Sequence, residues 1–517
     1  MKRLRGWVGS HAAVLGLALL MAVGAALRLA SIGANRFHQD EALYSFWALQ
    51  IATGRDPILN YFRVDKPPLF IYTLALCFKL FGPSEVAARL PSELASVASI
   101  ALLYYLASRL YGRGVAVLAA ILMALSPFNI LFAPTAFTDP MMVAWVLAGL
   151  CLAAKGRLGW SGFALGLAAA AKQQGLLFVP LAIVIGIHCL APSPLPLRSP
   201  APPHLRTLLR KGLFFALGFM AVMAPVAWWD SLRWNLQPNY FEQSLISYGG
   251  LVLVDSAQLV KRLGDWAEIL HYVTASSFLN ILLLGGLPCL LLYHLGWQRV
   301  EPATFFDAIL SAFVILFLLG HWVLSFNIWD RYLLGLVPLL LILLARILWL
   351  ASGALVSILP SMRGRGRGRV DSHNRAFLTV VLLAVTLTGP ALTATRSGYP
   401  IGGDHGAYDG IEAVAAYFRD RVPAGSILYH HLLGWHYSFY MFDFPLTLRW
   451  YPSPEELADD ARQADDSQRY VVFPNGKTIT EVEDALAEAG LELRSVYSTY
   501  GRDGSISFTV YRIEDRK

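Results

Sequence analysis

Two adjacent carboxylates, Asp40 and Glu41, stand in the stretch RFHQDEALYSFWALQ, directly after the first long apolar run of the chain. Charge at the edge of an apolar segment is costly to keep, so acids held there call for a reason. Asp139, in FTDP, repeats the pattern ahead of another apolar run. A helix start lowers the pKa of a carboxylate beside it and keeps it ionised, ready to accept a proton from a hydroxyl. Cations occupy comparable places: Lys66 in DKPPL, Lys172 in AAAKQQG and Arg331 in NIWDRYLL. Pro67 and Pro68 stiffen the backbone beside Lys66, and a fixed ammonium or a guanidinium fork suits a phosphate.

Plainer readings of the same residues compete. Asp40 can be the N-cap of the amphipathic segment after it, with Glu41 in the favourable first turn. Asp139 before Pro140 is a standard helix start. Lys66 can be a snorkelling anchor, Arg331 can pair with Asp330, and Lys172 can mark a hairpin tip. Capping and catalysis are compatible, because a helix start also fixes where the carboxylate points. Trp228, Trp229 and Trp234 read as an interfacial belt, with sugar stacking as the alternative. His430, His431 and His436 in YHHLLGWHYSF match no metal motif and alternate like a strand, so they read as structural. His38 and His271 lie nearer the acids, and either could join Asp65 as a metal ligand.

The elements that must position these groups follow from composition. Of 517 residues, 56% are hydrophobic and 15% charged. Soluble domains carry about a quarter charged residues, so this is an integral membrane protein. The net charge of +7 is no nucleic-acid signal, because the basic clusters lie between apolar runs and act as topology markers. Cys77, Cys151, Cys189 and Cys289 all fall in apolar segments and read as buried thiols. The amino-terminal run resembles a signal peptide in outline, yet no small-residue cleavage site precedes the acids, and a retained helix is expected.

Apolar runs of about 20 residues and the positive-inside rule predict eleven spanning helices, amino terminus inside and carboxyl terminus outside. They lie near 11–31, 88–108, 115–134, 140–154, a hairpin over 160–190 with KQQ at its outer tip, 212–229, 276–296, 305–325, 332–352 and 376–395. Pro192–Lys211, Arg299 and RGRGRGR (Arg363–Arg369) then form cytoplasmic basic loops. The segment 67–82 is apolar but short of a span, and counting it would place RGRGRGR outside. An interfacial helix is expected there. On this topology Asp40, Glu41, Asp65, Lys66, Asp139, Lys172, Asp330 and Arg331 share the outer face.

The sequence thus divides into a transmembrane domain, 1–395, and a small extracytoplasmic α/β domain, 396–517. The second is rich in charge and capping signals. SPEELADDARQ offers a capping box from Ser453 to Glu456, and TEVEDALAEAG starts at Thr480, with Glu483 three residues on and Gly490 closing it. The runs SILYHH, RYVVFP, ELRSVYSTY and SISFTVYRI read as strands.

This arrangement resembles the GT-C superfamily of membrane glycosyltransferases, nearest to its protein O-mannosyltransferase and aminoarabinose-transferase-like branch. The resemblance runs over most of 10–395. Asp40-Glu41 after the first span, KPPLF at Lys66, RLPSELAS from Arg89, FTDP at Asp139, AAAKQQG at Lys172 and WDRYLLGLVPLL from Trp329 carry it. It implies a polyprenyl-phosphate-linked sugar as donor and transfer on the outer face of the plasma (inner) membrane. Asp40 would correspond to the catalytic carboxylate, Glu41 to its neighbour, Asp139 to a second acid and Lys66 to a contact with the lipid phosphate. Arg331 and Lys172 would be further donor contacts. In the aminoarabinose-transferase group the acid before the lysine can be Glu and can join a metal site. Asp65 stands here, which leaves a divalent metal undecided, with Asp65 and His271 as candidates.

The donor class has independent support. Nucleotide sugars are cytoplasmic, and the sequence shows no Rossmann-like glycine fingerprint. An outward-facing site needs an activated sugar that crosses the bilayer, and a lipid phosphate provides one. The expected reaction is inverting transfer of a hexosyl or pentosyl group to an acceptor hydroxyl. Protein, lipid and glycan acceptors all fit, and nucleic acid is not expected. The competing class is a transporter or flippase of lipid-linked sugars. Transporters usually place charges near the mid-membrane in paired broken helices, whereas these acids gather at one face.

Overall fold

The computed structural model describes residues 2–190, 205–233, 238–248, 252–296, 302–358, 372–463 and 467–516. Most of the basic loop Pro192–Lys211, Arg299, the run Arg363–Arg369 and Trp234 lie outside the described residues. In chain order the helices are α1 (Lys2–Leu29), α2 (Gln39–Ala52), α3 (Pro68–Phe81), α4 (Glu85–Tyr111), α5 (Arg113–Leu125), α6 (Pro127–Phe132) and α7 (Asp139–Ala154). Then come α8 (Leu158–Ala171), α9 (Val179–Leu190), α10 (Leu205–Ser231), α11 (Tyr240–Ser247), α12 (Leu259–His271), α13 (Ser277–Gly296), α14 (Pro302–Val323), α15 (Val337–Ile358) and α16 (Ser372–Thr395). The remainder interleaves α17 (Ile411–Arg421), α18 (Gly434–Tyr440), α19 (Pro454–Gln463) and α20 (Thr480–Glu488) with five strands. These are β1 (Ile427–His430), β2 (Thr447–Trp450), β3 (Arg469–Pro474), β4 (Leu491–Tyr500) and β5 (Ile506–Asp515).

Every segment predicted to span is helical. Among the described residues six helices are long and apolar enough to cross a membrane: Glu85–Tyr111, Gln173–Leu190, Arg206–Ser231, Ala303–Val323, Val337–Leu355 and Arg375–Thr395. Six other apolar helices are shorter, α3 among them with 14 residues. At 1.5 Å per residue, α3 reaches only about 21 Å, short of a hydrocarbon core of about 30 Å. The segment 115–134 is not one rod. It breaks at Ser126, and Pro127 opens α6, a position where its missing N–H costs nothing.

By packing, the chain forms two units. The first comprises Met1–Ile32, Asp56–Thr73 and Arg89–Gly402, and the second Gly33–Arg55, Leu74–Ala88 and Gly403–Lys517. The compositional boundary at residue 395 lies close to the last of these divisions. What composition did not reveal is that two segments between α1 and α4, Gly33–Arg55 and Leu74–Ala88, pack with the carboxyl-terminal part.

In the first unit α15 is the buried centre, with Leu336 to Ala345 almost wholly enclosed. Arg28, fully buried on α1, is satisfied at every edge of its guanidinium. Nε donates to Ser96 Oγ at 2.8 Å, Nη1 to the Gly24 and Ala124 carbonyls, and Nη2 to the Met123 carbonyl. Helices α8 and α10 approach backbone to backbone. A Cβ on Gly162 would lie 2.1 Å from the Phe215 carbonyl, and one on Gly218 would lie 2.1 Å from that of Gly159. Small residues allow such close crossings where no hydrophobic effect drives helices together.

The second unit is built on a sheet of order β2-β1-β3-β5-β4, with β1 parallel to β2 and β3 and the other pairs antiparallel. Alternation sends Leu428, Tyr470 and Val472 to one face, against α17 and α18. Ile427, Tyr429, Val471 and Phe473 go to the other, against α19 and α20. The four predicted strands are present, while β2 was not anticipated. Two expectations are corrected. YHHLLGWHYSF is a strand only as far as His430 and then turns into α18, and α20 is capped by the Ile479 carbonyl rather than by Thr480. Ser453 accepts from the Glu456 N–H as expected, and Gly490 ends α20 at φ +78°.

The four cysteines are free, but Cys189 and Cys289 are exposed rather than buried. Trp228 is exposed, as a belt residue should be. Trp229 is buried, with the Arg233 guanidinium 4.5 Å from its ring centre.

Candidate functional site

The first unit assembles the proposed donor contacts. Lys172 ends α8 in extended geometry, and the chain then takes a short 3-10 turn over Gln173–Phe178 before α9. This is the expected tip of the hairpin, but Lys172 itself is buried, at 6% exposed, with Gln173 and Gln174 half-buried beside it. Its ammonium donates to Asp139 Oδ1 at 2.5 Å and lies 4.7 Å from the ring centre of Tyr332. Asp139 is the first residue of α7 rather than its cap, which is Thr138.

The two glutamines after Lys172 tie the tip to its neighbours. Gln173 Nε2 donates to the Asp65 carbonyl at 2.7 Å, and Gln174 Nε2 donates to the Tyr332 carbonyl at 2.9 Å. Lys66, buried in its turn, donates to Asp65 Oδ2 at 2.6 Å and to Tyr248 Oη at 2.5 Å. The Tyr248 hydroxyl donates to the same Asp65 oxygen at 2.6 Å, and the Tyr248 and Tyr332 rings meet edge to face at 6.5 Å. Arg331, 5% exposed, lies in a 3-10 turn, its guanidinium 5.2 Å from the Phe137 ring centre. Asp330 accepts from the backbone N–H groups of Arg331 and Gly402, which ties the turn to Gly402. Lys66, Lys172 and Arg331 thus converge, with Asp65 and Asp139 as partners of the two lysines. Ionisable side chains buried together in an apolar bundle mark a candidate functional site.

Asp40 and Glu41 belong to the second unit. The N-cap of α2 is His38, not Asp40. His38 Nδ1 accepts from the Asp40 N–H at 3.2 Å, and Glu41 Oε2 accepts from the His38 N–H at 2.9 Å, closing a capping box. Glu41 is fully buried in this role, while Asp40 is half-buried in the first turn. The cap therefore uses its neighbours and leaves the Asp40 carboxylate out of the box. His436, fully buried on α18, donates from Nε2 to the Phe37 carbonyl at 2.9 Å. Burial pushes its pKa down to about 4, with the Phe37 bond and Glu41 opposing and His38 assisting. It is a structural histidine of the kind expected. His431 Nδ1 likewise donates to the Tyr451 carbonyl, at 3.0 Å.

The two metal candidates have protein partners of their own. Asp65 is already engaged by an ammonium and a phenol, and His271 faces the Asn280 amide at 3.4 Å. No group of three or more His, Cys, Asp or Glu side chains suited to a cation occurs among the described residues. Sequence reasoning missed Tyr248 and Tyr332. Tyr332 stands next to Arg331 in the quoted motif, whereas Tyr248 reaches Lys66 across 182 residues and had no local signal.

Residues 65–229, which hold Asp65, Lys66, Asp139 and Lys172, match the family model described as dolichyl-phosphate-mannose-protein mannosyltransferase. The putative mannosyltransferase YycA of Bacillus subtilis (strain 168) is 30% identical over 176 residues, 30% of this chain and 26% of that protein. The putative mannosyltransferase YkcB of the same organism is 30% identical over 105 residues, 20% of this chain and 15% of that one. The matches thus span about a quarter or less of these relatives' lengths.

Among solved structures the likeness runs end to end. ArnT from Cupriavidus metallidurans in its apo state superposes with a TM-score of 0.62 at 16% identity, over 99% of this chain and 98% of that one. The same protein bound to undecaprenyl phosphate gives 0.61 at 15%, over 98% of each. The oligosaccharyltransferase AglB from Archaeoglobus fulgidus, in complex with an inhibitory peptide and a dolichol-phosphate, gives 0.56 at 12%, over 97% of this chain and 74% of that one. The chain is a multi-pass membrane protein with the GT-C fold, as the sequence resemblance implied.

Proposed function

We propose that the protein is an inverting glycosyltransferase that moves a sugar from a polyprenyl-phosphate donor to an acceptor hydroxyl on the extracytoplasmic side. The observation that carries this reading is the buried convergence of Lys66, Lys172 and Arg331 in a GT-C fold. An ArnT with that fold binds undecaprenyl phosphate, and a phosphate on a lipid tail is the anion such a membrane-embedded site would receive. In the proposed step Asp40 takes the acceptor proton, the acceptor oxygen bonds to the anomeric carbon, and the bond from that carbon to the lipid phosphate breaks. The departing phosphate keeps the electron pair and is met by Lys66, with Lys172 and Arg331 as further contacts. Asp139 acts chiefly by holding Lys172 in place, and Glu41 by fixing the turn that aims Asp40.

The test is transfer of labelled sugar from synthetic polyprenyl-phosphate donors by the protein in nanodiscs. Asp40→Asn is expected to keep the fold and lower turnover at least a hundredfold, the scale of a lost general base. Wild-type turnover in that variant would remove Asp40 from the role. Transbilayer movement of the donor with no transfer would replace the enzyme by a flippase.

A further inference from the structure

The second unit carries a cleft of about 450 Å³ that the proposed reaction leaves unused. Phe46 and Gln50 of α2, Arg55 just beyond it, and Ser438, Phe442 and Asp443 at and after α18 line it. The size is that of a small-ligand site, for which roughly 300–1,000 Å³ is usual. Its chemistry is mixed in a particular way. Phe46 and Phe442 present rings at 66° to one another, centres 6.2 Å apart, which gives two apolar faces. Arg55 stacks on the Phe442 ring at 4.1 Å and donates to the Phe442 carbonyl, so its guanidinium is held at the rim. Opposite in charge, Asp443 is paired at 3.2 Å with Arg419. The lining itself carries one cation, Arg55, and one anion, Asp443, the latter offset by Arg419 outside it, and the amide of Gln50 and hydroxyl of Ser438 both donate and accept. Apolar ring faces beside paired donors and acceptors match a neutral sugar, whose C–H face and hydroxyls need both.

Position adds to this. The cleft residues of α2, Phe46 and Gln50, lie six and ten residues beyond Asp40, or about 9 and 15 Å along one helix at 1.5 Å per residue. We infer that the cleft is a subsite for a neutral saccharide segment of the acceptor, so that the acceptor is itself a glycan whose reacting end reaches back along α2 toward Asp40. This rests on the transferase reading for its meaning, but binding at the cleft can be measured without transfer.

The probe is a set of neutral manno- and gluco-oligosaccharides of two to five units, titrated into the full-length protein in nanodiscs and followed by saturation-transfer NMR. Binding is expected for at least one member of the set. Phe442→Ala and Arg55→Ala should weaken it at least tenfold, and Ser438→Trp, which fills the cleft from its side, should abolish it with the melting temperature unchanged. No binding of any member to the wild-type protein, or binding indifferent to Ser438→Trp, overturns the inference. Capture in the cleft of an apolar or acidic tetrapeptide in place of the sugars overturns it as well. Acceptor-free hydrolysis of a polyprenyl-phosphate sugar is read in parallel. Hydrolysis without oligosaccharide binding removes the subsite and spares the transferase, whereas binding without hydrolysis keeps the cleft and counts against the transferase.

Discussion

An acid in a capping box and an acid that takes a proton have opposite needs, and the proposed function assigns them to different members of the DE pair. Glu41 accepts from the backbone at the start of α2 and is fully buried, so its charge is spent on the helix. Asp40, one residue earlier, shares the electropositive helix start without serving as its cap. The sequence could name the pair but not the division, because which residue caps depends on where the helix begins, and His38 decides that.

The Lys172–Asp139 pair makes a sharper prediction. Lys172→Met leaves a carboxylate buried without its ammonium, which should cost about 3–5 kcal/mol in denaturant unfolding, while adding Asp139→Leu should recover most of the loss. His436 gives a pH dependence of known sign. Its native pKa, near 4, lies below the ordinary 6.5, so the unfolded chain takes a proton first as pH falls. Stability from this residue is complete above pH 6.5 and is lost progressively as pH drops toward 4, by at most about 3 kcal/mol. Protection factors in α18, taken relative to the intrinsic exchange rate at each pH, should therefore fall between pH 7 and 5, and His436→Gln should remove that slope.

At the scale of elements, the sequence was most legible where a pattern is local. Apolar runs became helices, alternating runs became β1, β3, β4 and β5, and Ser453 capped α19. It was least legible where a partner distant in the chain decides. Strand β2 has only four residues and exists because β1 offers it a parallel edge. Trp229 looked like a belt residue, yet it is buried beside Arg233.

The crossing of α8 and α10 belongs to the same class. The spacing of Gly159, Gly162 and Gly166 marks a smooth helix face, but only packing identifies Gly218 as what lies against it. Gly218→Leu should drive the helices apart and destabilise the protein by about 1–3 kcal/mol, the usual cost of overpacking. Thermal unfolding in detergent measures it, and Leu217→Ala, on an exposed neighbour, should change little.

For the whole molecule, the positive-inside rule predicts that the second unit lies outside the cytoplasm. Lys477, exposed after β3, reports on it. With the four native cysteines replaced, Lys477→Cys should react with a membrane-impermeant maleimide in intact cells. Labelling only after lysis would reverse the orientation.

By itself the sequence determined that the protein is a membrane bundle with a mixed α/β part, and it named the residues that could act on a lipid phosphate. Hydrophobic length, charge bias and capping signals are short-range quantities, readable along the chain. Only the tertiary structure decided that the loop carrying Asp40 packs with the carboxyl-terminal sheet, and that Tyr248 closes on Lys66. It also decided that Lys172, at the tip of the hairpin, is buried. These depend on which surfaces meet, and desolvation and hydrogen-bond geometry between residues far apart in the chain have no signature in local pattern.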